Sequence, residues 1–152
     1  EFIEGREIYV SLLGNLHPTV LPIREMIFPN FSEPYKGRQA FATFKVKWDQ
    51  NYRKKQGIKN VFANFSQKTQ KEIEAIAKKT YEVLYLRGYA RLDLRVTNAG
   101  EVYVIEANPN PHIAKDEDYA LSAKKGGLLY PDLLQKIIDF GLSEHKKFFA
   151  HL

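Results

Sequence analysis

Tyr89-Ala90-Arg91-Leu92-Asp93-Leu94-Arg95-Val96 alternates in polarity, and Glu101-Val102-Tyr103-Val104-Ile105-Glu106-Ala107-Asn108 follows after the turn signal Thr97-Asn98-Ala99-Gly100. Alternation with period two on both sides of a short turn predicts a β-hairpin. Arg91, Asp93 and Arg95 then share one face of the first strand, and Leu92, Leu94 and Val96 the other. On the second strand, Glu106 and Asn108 are expected on one face with Val102 and Val104. The short turn makes the strands neighbours, so Asp93 and Glu106 lie opposite or diagonal, within reach of a shared ion. Two carboxylates, a carboxamide and a guanidinium form a group of hard oxygen donors with a fixed cation beside them. Such a group suits Mg²⁺ and a polyphosphate. A solvated sheet face dotted with charges explains the same pattern without any ligand. Against that reading, Glu106 sits at a strand end beside Pro109 and Pro111, and Val102 and Val104 suggest a partly covered face.

Working outward, Arg6 to Leu13 reads as a strand, Gly14-Asn15 as a turn, and Thr19 to Phe28 as the returning strand, with Pro22 marking an edge or bulge. Pro29 to Gln39 reads as a long loop. Ala40 to Trp48 alternates and is expected to be a strand. Thr69 to Arg87 is the clearest helix. Thr69 and Glu72 have capping-box spacing, Ile73, Ile76, Ala77, Thr80 and Leu84 share a face, and Gly88 is placed to end it. Shorter helices are expected from Asp116 to Lys125 and after Pro131, with a helical tail beyond Gly141. No regular alternation of strand and helix appears, so the fold class is α+β with a mainly antiparallel sheet and flanking helices.

The 152 residues suffice for one domain with a core, and 44% hydrophobic content is that of a globular chain. No apolar run is long enough to span a membrane. The absence of cysteine excludes disulfides and thiolate metal sites, and fits a cytoplasmic protein. The net charge of +5 raises the question of nucleic acid. The lysines, however, fall in scattered pairs (Lys54-Lys55, Lys78-Lys79, Lys124-Lys125, Lys146-Lys147) rather than one stripe, so nucleic acid is not expected as a partner. The chain does not begin with Met, so a longer parent is expected.

Arg91-Leu92-Asp93, the turn Asn98-Ala99-Gly100 and Glu106-Ala107-Asn108-Pro109-Asn110-Pro111 together resemble the C-terminal lobe of ATP-grasp carboxylate–amine ligases, and within them the D-alanine–D-alanine ligases. The resemblance runs from Glu1 to about Leu142, with residues 143–152 as the helical tail. It implies that Asp93, Glu106 and Asn108 hold two Mg²⁺ ions (Mn²⁺ is an alternative) against the phosphates of ATP. It implies that Arg91 stabilises the oxyanion of a tetrahedral intermediate. Glu1-Phe2-Ile3-Glu4-Gly5-Arg6-Glu7 resembles the family's hinge. There the backbone at Glu1 and Ile3 meets adenine, and Glu7 accepts from the ribose. Lys47 corresponds to a lysine near the β- and γ-phosphates, and Lys36 and Arg38 are weaker candidates for anion contacts.

The family's other lobe is not in the sequence, so the chain alone is expected to be inactive and to need that lobe in cis or in trans. A non-enzymatic module that assembles through the surface left by that lobe, or with a second copy of itself, is the alternative. After the Asn-x-x-Pro corner, the family has Gly-Met-Thr and a serine that binds the acceptor's carboxylate. Here His112-Ile113-Ala114-Lys115-Asp116-Glu117-Asp118-Tyr119 stands instead. An acid near the serine's place disfavours D-alanine and favours an acceptor carrying an amine or cation. Capping of the next helix is the plainer role for Glu117 or Asp118.

Overall fold

The computed structural model describes residues 2–29 and 43–149, apart from the side chains of Lys47, Trp48 and residues 144–149. Its elements run β1 (Arg6–Leu13), β2 (Thr19–Val20), β3 (Arg24–Ile27), α1 (Phe44–Trp48), α2 (Gln50–Gln56), β4 (Lys59–Phe62), α3 (Gln67–Val83), β5 (Tyr89–Val96), β6 (Val102–Asn108), α4 (Asp118–Lys125) and α5 (Tyr130–Phe149). The strands form one sheet in the order β4-β3-β1-β5-β6, with β2 paired to β1 off this path. Every pairing is antiparallel. The expected α+β class with a mainly antiparallel sheet is therefore the one observed.

β1 and β5 lie at the centre and are covered on both faces, so residues of both parities are buried along them. Ile8, Val10, Leu12, Leu92, Leu94 and Val96 face α3, where Ile73, Ala77 and Tyr81 close the main core. Burying such side chains contributes roughly 1.5–3 kcal/mol each. On the other face α4 and α5 cover one end, packing Tyr119, Ala123 and Leu133 against Leu13 and Leu21. The region around α1 covers the β3 side, where Val46 and Ile58 meet Tyr9 and Met26. Between these two covers the sheet face is polar.

Local departures from the sequence reading have identifiable causes. The expected long strand from Thr19 splits into β2 and β3 around Pro22, whose ring removes a ladder donor. Phe44–Trp48 is a helix, not the expected strand. Thr43 Oγ1 accepts from Val46 N at 3.3 Å, and the Asp49 carboxylate accepts from Tyr52 N at 2.8 Å to start α2. Caps at both ends outweigh a short alternating pattern. Residues 40–42 of that expected strand, and most of the Pro29 to Gln39 loop, lie outside the described residues.

α3 begins earlier than expected, with Ser66 rather than Thr69 at the N-cap; Ser66 Oγ accepts from Thr69 N at 3.2 Å. It also ends earlier, because Tyr85 adopts φ 54°, a left-handed conformation that a helix cannot include. Leu84 is therefore exposed, and Tyr81 takes its expected place in the core. Gly88 serves the entry to β5 instead, donating its N–H to Asn15 Oδ1 at 2.9 Å. Ser66→Ala is expected to cost about 1 kcal/mol in a urea melt, and Thr69→Ala clearly less. The order reversed would return the cap to Thr69. α5 runs through Gly141 without interruption. Among the described residues no helix is long and apolar enough to cross a membrane.

Candidate functional site

The strand registers set the polar face out as a grid. One row across the sheet reads Phe62, Arg24, Tyr9, Asp93, Glu106, from β4 through β3, β1 and β5 to β6. The next row reads Asn60, Met26, Glu7, Arg95, and on the other side Ser11, Arg91 and Asn108 align. Asp93 and Glu106 are thus direct cross-strand partners, as the hairpin suggested.

They meet for a reason the alternation did not carry. Asp93 pairs with Glu106 but Leu94 pairs with Val104, so Ile105 is an extra residue in β6, a β-bulge. The expectation that Val102 and Val104 share the face of Glu106 is corrected by this. Val102 lies opposite Val96 and packs on the core face, whereas Glu106 and Asn108 turn to the polar face. An unbulged β6 in the same turn register would set Glu106 opposite Leu92, against α3.

Arg91 grips Asp93 in a bidentate ion pair, Nε to Oδ1 at 2.7 Å and Nη2 to Oδ2 at 2.9 Å. Burial acts to lower the Arg91 pKa, but the hydrogen bond and charge of Asp93 outweigh it, and the guanidinium is held charged more firmly than usual. Its Cζ lies 4.9 Å from the centroid of the Tyr9 ring, over the ring face. The Tyr9 hydroxyl donates to Glu7 Oε1 at 2.9 Å, and Arg95 Nη2 donates to Glu7 Oε2 at 3.0 Å. Burial, then the charge and hydrogen bond of Glu7, push the Tyr9 phenol well above its ordinary pKa, so it remains a donor. Asn108 Oδ1 accepts from the Asn110 N–H at 2.9 Å, which fixes the corner after β6.

Of the sequence-predicted residues, the fold brings Glu7, Arg91, Asp93, Glu106 and Asn108 to one face. Ile3 lies in the segment leading into β1. Lys47 lies in the helix α1 rather than in the strand expected over Ala40 to Trp48. Glu1, Lys36 and Arg38 lie outside the described residues.

Three residues near this face, Arg24, Arg53 and Asn60, carried no signal in the sequence reading. Arg24 donates to Asp118 Oδ1 through Nε at 2.9 Å and to the Asn60 carbonyl through Nη2 at 3.0 Å. Asn60 Nδ2 donates to Asp118 Oδ2, and Asn60 Oδ1 accepts from Arg53 Nη2 at 3.2 Å. Asp118 opens α4, but its oxygens are engaged by this network. Glu117 holds the N-cap position without a capping bond and faces His112 at 3.4 Å. Both acids thus stand at the positive end of α4, as the helix-dipole reading expected, with Glu117 making no side-chain capping hydrogen bond. These residues, with Tyr9, Arg91, Glu106 and Asn108, line a cleft of about 570 Å³. Among the described residues no three His, Asp or Glu side chains cluster closely enough to hold a metal by themselves. The donors present, two carboxylates and an amide, fit Mg²⁺ that completes its shell with ligand phosphates.

The fold is that of the ATP-grasp proteins. Residues 1–139 match the family model described as "D-ala D-ala ligase C-terminus", and the chain belongs to that family. It is 32% identical over 148 residues to a D-alanine–D-alanine ligase of Carboxydothermus hydrogenoformans, covering 97% of this chain and 43% of the relative. Among solved structures it superposes on the D-alanine–D-alanine ligase of Coxiella burnetii with a TM-score of 0.76 at 24% identity, covering 99% of this chain and 35% of that one. The Bacillus anthracis ligase complexed with ATP gives a TM-score of 0.71 at 24% identity, over 96% of this chain and 41% of that one. The chain spans about two-fifths of the length of the curated relatives it matches.

Proposed function

We propose that this chain is the ATP- and Mg²⁺-binding lobe of a cytoplasmic, ATP-dependent carboxylate–amine ligase. The observation that carries the reading is the pairing of Asp93 with Glu106 across the bulged hairpin, beside Arg91 and Asn108. In this reading Asp93, Glu106 and Asn108 present oxygen donors to Mg²⁺, which neutralises phosphate charge when bound. Glu7, its carboxylate oriented by Tyr9 and Arg95, accepts from the ribose. The backbone at Glu1 and Ile3 meets adenine, and Lys47 meets the terminal phosphates. The whole ligase transfers the γ-phosphoryl group of ATP to a carboxylate and releases ADP; an amine then attacks the acylphosphate, giving an amide, phosphate and a proton. Arg91 presents a planar, permanently charged fork to the oxyanion formed during that attack. The second lobe, in cis or in trans, completes the enclosure that excludes water.

Calorimetry of ATP with excess Mg²⁺ tests the reading. Binding by the native chain that falls at least about tenfold in the Asp93→Ala, Glu106→Ala variant is expected, since charged hydrogen-bond and metal contacts of this kind are each worth more than 1.4 kcal/mol. Equal binding by both proteins would remove the hairpin from the nucleotide site. Mg²⁺ without ATP is expected to bind weakly, because the protein supplies too few oxygens alone.

A further inference from the structure

At the β3–β4 end of the cleft the described residues gather two arginines, Arg24 and Arg53, around one carboxylate, Asp118. Arg24 and Arg53 both donate to Asn60, the first to its carbonyl and the second to its side-chain oxygen. Arg24 also lies 4.4 Å from the Phe62 ring centroid, and Lys125 Nζ lies 5.7 Å from the same centroid. Among the described residues one carboxylate, Asp118, is bonded within this group. Arg53 rests on neutral acceptors, the Val46 carbonyl and Asn60. Asp118 balances one of the two guanidinium charges, and the second calls for a further anion.

The Arg24 side chain is 8% exposed, and its Nε and Nη2 are spent on Asp118 and Asn60. Nη1 has no partner among the described residues, yet it is not one of the buried orphan atoms, which are Ser11 Oγ and Ser122 Oγ. Nη1 is thus the donor that Arg24 leaves open, and Arg24 and Arg53 both line the cleft. A guanidinium clamped on two sides presents a fixed donor at little entropic cost. The acids lining the cleft outside this network, Glu106, Asp116 and Glu117, belong to β6 and the approach to α4, and Glu117 is engaged with His112.

We infer that Arg24 and Arg53, joined through Asn60, form an oxyanion subsite that receives a carboxylate or phosphate group of a bound ligand. The row register puts it two strands from Asp93, about 10 Å at ordinary strand spacing. A ligand reaching it therefore lies along the row, with its anion at β3 and its other end at the paired carboxylates. This rests on the reading of the polar face as the substrate face. It also changes what the acid at Glu117 implies: an anionic substrate group is refused beside Glu117 and accepted between Arg24 and Arg53.

The test is a titration of the full chain, ¹⁵N-labelled, with sodium acetate and with inorganic phosphate at constant ionic strength, following the arginine Nε–H signals. Saturable shifts of the Arg24 and Arg53 signals with one of the two anions are expected, with affinity at least about tenfold weaker in Arg53→Gln. A response to acetate assigns the subsite to a substrate carboxylate, and a response to phosphate assigns it to a nucleotide phosphate. No saturable shift with either anion in the native chain, or an unchanged affinity in Arg53→Gln, overturns the subsite. The native titration decides even where the variant does not fold. Calorimetry with Mg·ATP on the same sample keeps the two readings apart. Anion shifts without Mg·ATP uptake leave the subsite standing and defeat the nucleotide lobe, and the reverse result does the opposite.

Discussion

Asp93→Ala is expected to destabilise the chain by about 3 kcal/mol, beyond any effect on ligand binding. The Arg91 and Asp93 side chains are 21% and 10% exposed, so the guanidinium that loses its bidentate partner stays largely out of water. Removing one member of such a pair leaves a buried charge uncompensated, and that cost exceeds the net worth of the pair itself. The companion variant Arg91→Met, Asp93→Leu tests the cause. Two apolar side chains of similar length remove both charges, and most of the lost stability is expected to return in a urea melt. If the double replacement is as unstable as Asp93→Ala, packing rather than charge governs the position. Both variants are expected to lose Mg·ATP binding. Stability and ligand affinity thus separate in the double variant and fall together in the single one.

Gly5→Ala is expected to cost a comparable amount, about 3 kcal/mol, for a steric reason. Gly5 has φ 152°, in the region that side-chain-bearing residues avoid, and an added Cβ would stand 2.3 Å from the Val96 carbonyl oxygen. That oxygen belongs to β5, paired with β1 at Arg6, so neither side can yield cheaply. The displacement would reach the site, because the Gly5 carbonyl accepts from Arg95 Nη1 at 3.1 Å and Arg95 in turn orients Glu7. A lowered melting temperature with weakened Mg·ATP binding is the expected pair of results. Gly100→Ala is the control. Gly100 also has a positive φ, but nothing lies within 4 Å of the added Cβ, so a smaller loss of about 1 kcal/mol is expected.

The hairpin, the central strand Arg6–Leu13 and the meeting of Asp93 with Glu106 were legible because period-two alternation and a Gly-bearing turn are local signals. The bulge at Ile105 was not. Alternation read along β6 alone puts Val102, Val104 and Glu106 on one face, and only pairing with β5 shows where the parity changes. The helix at Phe44–Trp48 was missed because five residues of F-K-V-K-W fit either period, and the deciding signals were the caps Thr43 and Asp49. The Arg24–Asp118 pair is 94 residues apart in sequence, and no local pattern links its members. Nothing in the sequence sets Tyr9 apart within the strand Arg6–Leu13. Its hydroxyl and ring became informative once the sheet set it between Glu7, Arg91 and Asp93.

β6 is the last strand of the sheet path, and Tyr103, Val104 and Ile105 along it are all exposed. A long regular apolar edge of this kind invites another chain to add a strand. The unpaired residue at Ile105 breaks the regular spacing of backbone donors and acceptors that such an addition needs. The irregularity that turns Glu106 toward the site therefore also protects the chain from edge-to-edge aggregation, at the edge where an added strand would crowd the cleft.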